Sequence, residues 1–173
     1  MKEYSESFLK IITIVGVIET IILLFFLIRT IVLWVTGISP ALWRLGNGLA
    51  KRKIAIFAKG DNVSSLKSLL LDSKLFKEKN ICEITKTADL EKAEEASVYL
   101  VFWHDWAQDI ENILNKKPDK CPLVVYAPYN LERIPSEQMK SLDGKRHSSV
   151  TNFRGRLLND IVTSMITTSY DRK

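Results

Sequence analysis

From Ile11 to Ile28 the chain carries one formal charge, Glu19, among Ile, Leu, Val and Phe with two threonines and a glycine. As a helix rising about 1.5 Å per residue, this run reaches about 27 Å, the thickness of a bilayer's hydrocarbon core. The apolar character resumes after Arg29 with TIVLWVTG, so a helix here is tilted or continues into the interface. The run predicts that residues 1–36 are an N-terminal tail and a transmembrane helix, the apolar core lying between Lys10 and Arg29. It exceeds the length of a signal peptide's apolar region and no small-x-small cleavage pattern follows, so it reads as a retained anchor. Trp34 and Trp43 sit where interfacial aromatics belong.

The flanks set an expected orientation. Lys2 and Lys10 stand with two glutamates on the N-terminal side, against Arg29, Arg44, Lys51, Arg52 and Lys53 on the other. Lys and Arg accumulate on the cytoplasmic face, which puts the N-terminus outside and the C-terminal domain in the cytoplasm. Cys82 and Cys121, in or beside apolar strand patterns, agree with a reducing compartment that keeps them as thiols.

Glu19 lies midway along the apolar run, where an ionised carboxylate costs at least a few kcal/mol. At about 100° per residue, Thr13, Gly16, Glu19, Thr20 and Thr30 share about a third of the circumference. A small and polar stripe is where membrane helices pack on one another. Two readings stay open: a homo-oligomeric bundle with Glu19 inside, lining a pore in one version, or a protonated Glu19 bonded to a threonine or a partner helix without conduction. A pore requires several copies, because one helix encloses nothing.

Residues 37–52 read as an amphipathic juxtamembrane linker, with Gly37 and Pro40 ending the helix and Ala41, Leu42, Trp43, Leu45 and Leu49 apolar. Of the formal net charge of +5, Lys51, Arg52 and Lys53 supply three. That distribution favours anionic lipid over direct nucleic-acid binding. Residues 53–173 then alternate short β-rich runs with helical patterns. Strands are predicted over 53–58, 81–85, 97–103, 122–127 and 148–153, with helices between them and a last one to Tyr170. Asn62 and Ser136 are expected N-caps. Such alternation implies an α/β fold with a five-stranded parallel, doubly wound sheet of flavodoxin-like order 2-1-3-4-5.

Ligands of such sheets bind beyond the carboxyl ends of the strands. The residues falling there are Lys59, Asp61 and Asn62, then His104, Asp105 and Trp106, then Tyr129, and finally Asn152, Arg154 and Arg156. Lysine, two arginines, helix N-termini and an aromatic suit a nucleotide-like or other anionic ligand. Equally, Arg154 and Arg156 can pair with acids such as Asp160. There is no Walker A loop, no GxGxxG after a strand and no metal-ligand spacing, so no cofactor or metal is expected.

KIAIFAKGDNVSSLKSLL resembles the opening strand, polar turn and helix of TIR domains, and ADLEKAEEASVYLVFWHDW resembles their passage from helix through Ser and a buried strand to Trp. The resemblance covers roughly residues 53 to 127. Catalytic members carry a glutamate four residues after a tryptophan; that position after Trp106 is Ile110, flanked by Asp109 and Glu111, so these two are the acids the resemblance offers for NAD cleavage. The topology is also similar to receiver domains, with Asp105 near the phospho-acceptor position and Asp61 after the first strand, but the family's acidic pair and Lys-Pro are missing. With its anchor, the chain resembles small membrane effectors of bacterial anti-phage systems. Three functions follow as expectations: an oligomeric membrane sensor or effector responding to a ligand or a second protein, a tethered TIR-like NAD hydrolase, and a non-conducting scaffold.

Overall fold

The computed structural model describes residues 2–39, 42, 46 and 52–169. Most of the expected linker, including Trp43, Arg44 and Lys51, lies outside the described residues, as does Tyr170. The chain divides into two units, Met1–Arg44 and Leu45–Lys173.

In the first unit, helix α1 spans Lys2–Val35. Its segment Ile12–Val35 is 24 residues long, none of it buried, and is long and apolar enough to cross a membrane. Apolar side chains surround it on all sides, as expected where lipid rather than a protein core is the solvent. At about 36 Å the segment is longer than a hydrocarbon core and would tilt to fit. Arg29 is about 9 Å short of the helix end at Val35, within snorkelling reach. The hydroxyls of Thr20 and Thr30 donate to the carbonyls of Gly16 and Phe26 at 2.7 and 2.8 Å. Both are satisfied inside their own helix. The Glu19 carboxylate has no partner among the described residues.

The second unit is an α/β domain whose five parallel strands run in the order β2-β1-β3-β4-β5. They are β1 Ile54–Phe57, β2 Ile81–Ile84, β3 Val98–Phe102, β4 Leu123–Tyr126 and β5 Ser148–Thr151, each shorter than its sequence pattern. Strands β1, β3 and β4 are buried throughout, which is why they read as unbroken apolar runs rather than alternations. Alternate residues serve two cores. On one face Ile54, Ile56, Leu100 and Val124 meet Val63, Leu66 and Leu70 of α2 (Asp61–Asp72) and Leu157, Ile161 and Met165 of α6 (Arg154–Ser169). On the other, Phe57, Tyr99, Val101 and Val125 meet Trp103 and Trp106 of α3 (Trp103–Trp106), Ile110 and Ile113 of α4 (Ile110–Lys116) and Leu142 of α5 (Ser136–Asp143).

One local expectation gains its helix type and two change. Thr87–Glu95 is a 3-10 helix. Its buried Leu90 and Ala93, with Ala96 after it, recur every third residue, the period of that helix rather than of an α-helix. Asn62 is no cap: α2 starts at Asp61 behind Gly60, whose φ of 55° suits glycine, and the Asn62 amide is committed elsewhere. Ser136 is likewise the first residue of α5, with Pro135 before it as the cap.

Candidate functional site

At the carboxyl end of the sheet, β1 and β3 are neighbours whose following segments depart to opposite faces, α2 against one core and α3 against the other. Ligand clefts form at such a divergence. Asp105, in α3, bridges it. One carboxylate oxygen accepts the backbone N–H of Lys59 at 2.7 Å, and the same oxygen accepts Asn62 Nδ2 at 3.0 Å. The Lys59 ammonium in turn stands 5.1 Å from the centre of the Trp106 ring, a cation–π distance. Trp106 itself is fully buried against Phe57, so core packing positions the loop that follows β1.

Beside this clasp opens a cleft of about 530 Å³. Lys59, Trp103, His104, Asp105 and Asp109 line it, with Gln108, Glu132, Pro135 and Gln138. The volume is within the range of small-molecule sites. Gln138 Nε2 reaches the Ala107 carbonyl at 3.4 Å and links α5 to the turn carrying Asp109. The lining is polar and of mixed charge: Asp109 and Glu132 face the same space as Lys59 and His104. Among the described residues, no group of three or more His, Cys, Asp and Glu is arranged to hold a metal.

Of the residues expected after β1 and β3, Lys59, His104 and Asp105 line the cleft, while Asn62 and the buried Trp106 stand behind it as partners of Asp105 and Lys59. The structure does not bring the rest to the cleft. Asp61, Tyr129, Asn152 and Arg156 are exposed and absent from its lining. Arg154 donates through Nη2 to the Ser65 carbonyl at 2.8 Å, tying α6 to α2 rather than meeting Asp160 or a ligand. Of the two acids that the TIR-like pattern offered, Asp109 lines the cleft and Glu111 is exposed outside it. Glu132, Gln108 and Gln138 were missed. They occupy a loop and helix turns, where no hydrophobic period reports which way a side chain points.

Comparison of the chain with protein-family models, curated proteins and solved structures finds no match. Asp105 does structural work, because two of its hydrogen bonds hold the β1 and β3 loops together. Replacing it by alanine is expected to cost about 1–2 kcal/mol, the scale of hydrogen bonds to a half-exposed charged group. Amide exchange at Lys59 should accelerate in that variant, while an unchanged Lys59 amide would contradict the clasp.

Proposed function

We propose that this protein is a membrane-anchored, homo-oligomeric sensor or effector, in which the α/β domain binds a ligand or partner and acts on a bundle of α1 helices. The observation that carries the proposal is Glu19, a carboxylate in the middle of a bilayer-length helix with no partner among the described residues. An intramembrane acid is retained where something compensates it, and a second copy of the same helix brings the same stripe of Gly16, Glu19 and Thr20. The cleft at the divergence of β1 and β3 is where the signal would enter, and the expected orientation puts it in the cytoplasm. A ligand there would meet the carboxylates of Asp105, Asp109 and Glu132 as well as Lys59, which suits a nucleotide-like molecule that offers amide or hydroxyl donors to the acids and one anionic group to the lysine. Whether ions cross the bundle is a further property of the same assembly.

A second reading, the TIR-like NAD hydrolase, is favoured by one observation, the presence of Asp109 beside Trp103 and His104 in the cleft. Loss of NAD turnover in Asp109→Asn, with the fold intact, would support it over the sensor.

The sensor reading is tested in membranes by energy transfer between labelled copies. Glu19→Leu should reduce association roughly tenfold, the effect of about one to two kcal/mol of interhelical hydrogen bonding, and Glu19→Gln should retain most of it. Equal association of all three would overturn a Glu19-dependent bundle.

A further inference from the structure

All five strands are parallel, so every strand begins at one edge of the sheet and ends at the other. The cleft occupies the edge where strands end. The chain enters the domain at the opposite edge, where Arg52 is buried and donates through Nη1 to the Met165 carbonyl of α6 at 2.6 Å. The segment expected to touch lipid is therefore partly built into the domain: Arg52 is tied to α6, and Lys53 pairs with Glu95.

The two edges differ in charge. Leading into the strands on the entry edge are Lys77 and Lys79 before β2, Lys116 and Lys120 before β4, and Lys145 before β5, all exposed. Among the described residues none of these five forms an ion pair; the pairs found involve Lys53, Lys67 and Lys92. Glu78, Glu94, Glu95, Asp119 and Asp143 offset part of the excess on this edge, Glu78 and Glu95 through pairs with Lys67 and Lys53. At the cleft edge Asp61, Asp109, Glu132 and Glu137 balance Lys59, Arg154 and Arg156. The domain is polarised along its strands, with the basic end at the edge where the chain enters β1.

A hollow of about 310 Å³ opens on that basic end. Lys53, Lys79, Lys92, Asn80 and Cys82 line it together with Glu95. Lys53 and Lys92 are already bonded to Glu95 and Asp89, which holds both ammonium groups in place, and Lys79 is uncommitted. Lys53 and Lys92 are matched by Glu95 and Asp89, so the hollow carries one uncompensated positive charge, that of Lys79, and ammonium groups are point charges suited to phosphate oxygens.

We propose that this edge docks on anionic lipid headgroups, with a headgroup phosphate seated between Lys53, Lys79 and Lys92. Docking there holds the cleft edge away from the bilayer, open to a ligand from solution. The inference rests on the reading of α1 as a membrane span, and the two fail differently in the experiment below.

Cys82 reports on the hollow directly, with the buried Cys121 as an internal reference. Burial raises the Cys82 thiol pKa, so alkylation is followed at mildly alkaline pH, where the thiolate is available. The full chain is reconstituted in nanodiscs of phosphatidylcholine, or of phosphatidylcholine with phosphatidylglycerol, and the alkylation of each cysteine is timed by mass spectrometry. Phosphatidylglycerol should slow Cys82 about fivefold, with the protection lost at high salt, where the screening length falls to about 3 Å, and lost in Lys79→Glu. Equal Cys82 rates in both discs would overturn the proposal. Protection by inorganic phosphate or by duplex DNA in neutral discs, with none from phosphatidylglycerol, would overturn the lipid as its source. A chain that does not co-elute with the discs overturns the membrane span itself, whatever Cys82 does.

Discussion

Trp106→Ala is expected to destabilise the α/β domain by about 4 kcal/mol, within the range for truncating a fully buried tryptophan. Trp106 has no exposed surface. Its ring meets Phe57 edge-on with centroids 5.6 Å apart, and Lys59 Nζ lies 5.1 Å from its centre on the cleft side. Alanine therefore opens a void in the core and removes the surface on which Lys59 rests. For a domain of this size the melting temperature should fall by roughly 15 °C. Trp106→Phe provides the control. The indole N–H is buried without an acceptor among the described residues, so phenylalanine loses some packing but also removes an unsatisfied donor. Thermal denaturation should place Phe within about 1.5 kcal/mol of the parent. A loss below about 1 kcal/mol for alanine would mean that Trp106 does not join the core to the cleft.

Lys117→Met is the second large effect, expected at about 3 kcal/mol because it strands buried acceptors. Lys117 is only 8% exposed. Its ammonium donates to the carbonyls of Cys121 at 2.9 Å, Arg146 at 3.2 Å and Pro118 at 3.3 Å. One side chain thereby joins the segment before β4 to the segment before β5. Methionine matches its apolar stem, is one atom shorter and donates nothing. Burial pulls the Lys117 pKa below its ordinary value of 10.5. Between that lowered value and 10.5 the unfolded chain binds the extra proton, so this group makes stability rise with pH across the window. Denaturant titrations on the alkaline side should show that rise in the parent and its loss in Lys117→Met. An equal slope in both proteins would contradict the assignment.

The layered fold was legible because its causes are periodic. Strands covered on both faces must be apolar throughout, and IAIF, VYLVF and LVVY are; helices covered on one face must repeat about every 3.6 residues, and Leu157, Ile161 and Met165 do. Parallel pairing then forces all strand ends to one edge, which placed Lys59, His104 and Asp105 together. Membership of the cleft depends on loop geometry instead, and no period encodes that. Arg154 and Glu132 both follow strands. One turns back to the Ser65 carbonyl and the other lines the cleft. Asn62 shows the same limit: its type and position suit a cap, but with Gly60 as the cap the helix starts two residues early and frees the amide for Asp105.

The proposed sensor couples a cleft-bearing domain to a bundle made of several copies of α1. Its most direct test is the protein mass of the full-length chain in mild detergent, by light scattering corrected for bound detergent, beside residues 45–173 alone. The account predicts a defined multiple of the 19.8 kDa chain mass for the full-length protein and a monomer for the domain. A full-length monomer across the accessible concentration range would contradict it.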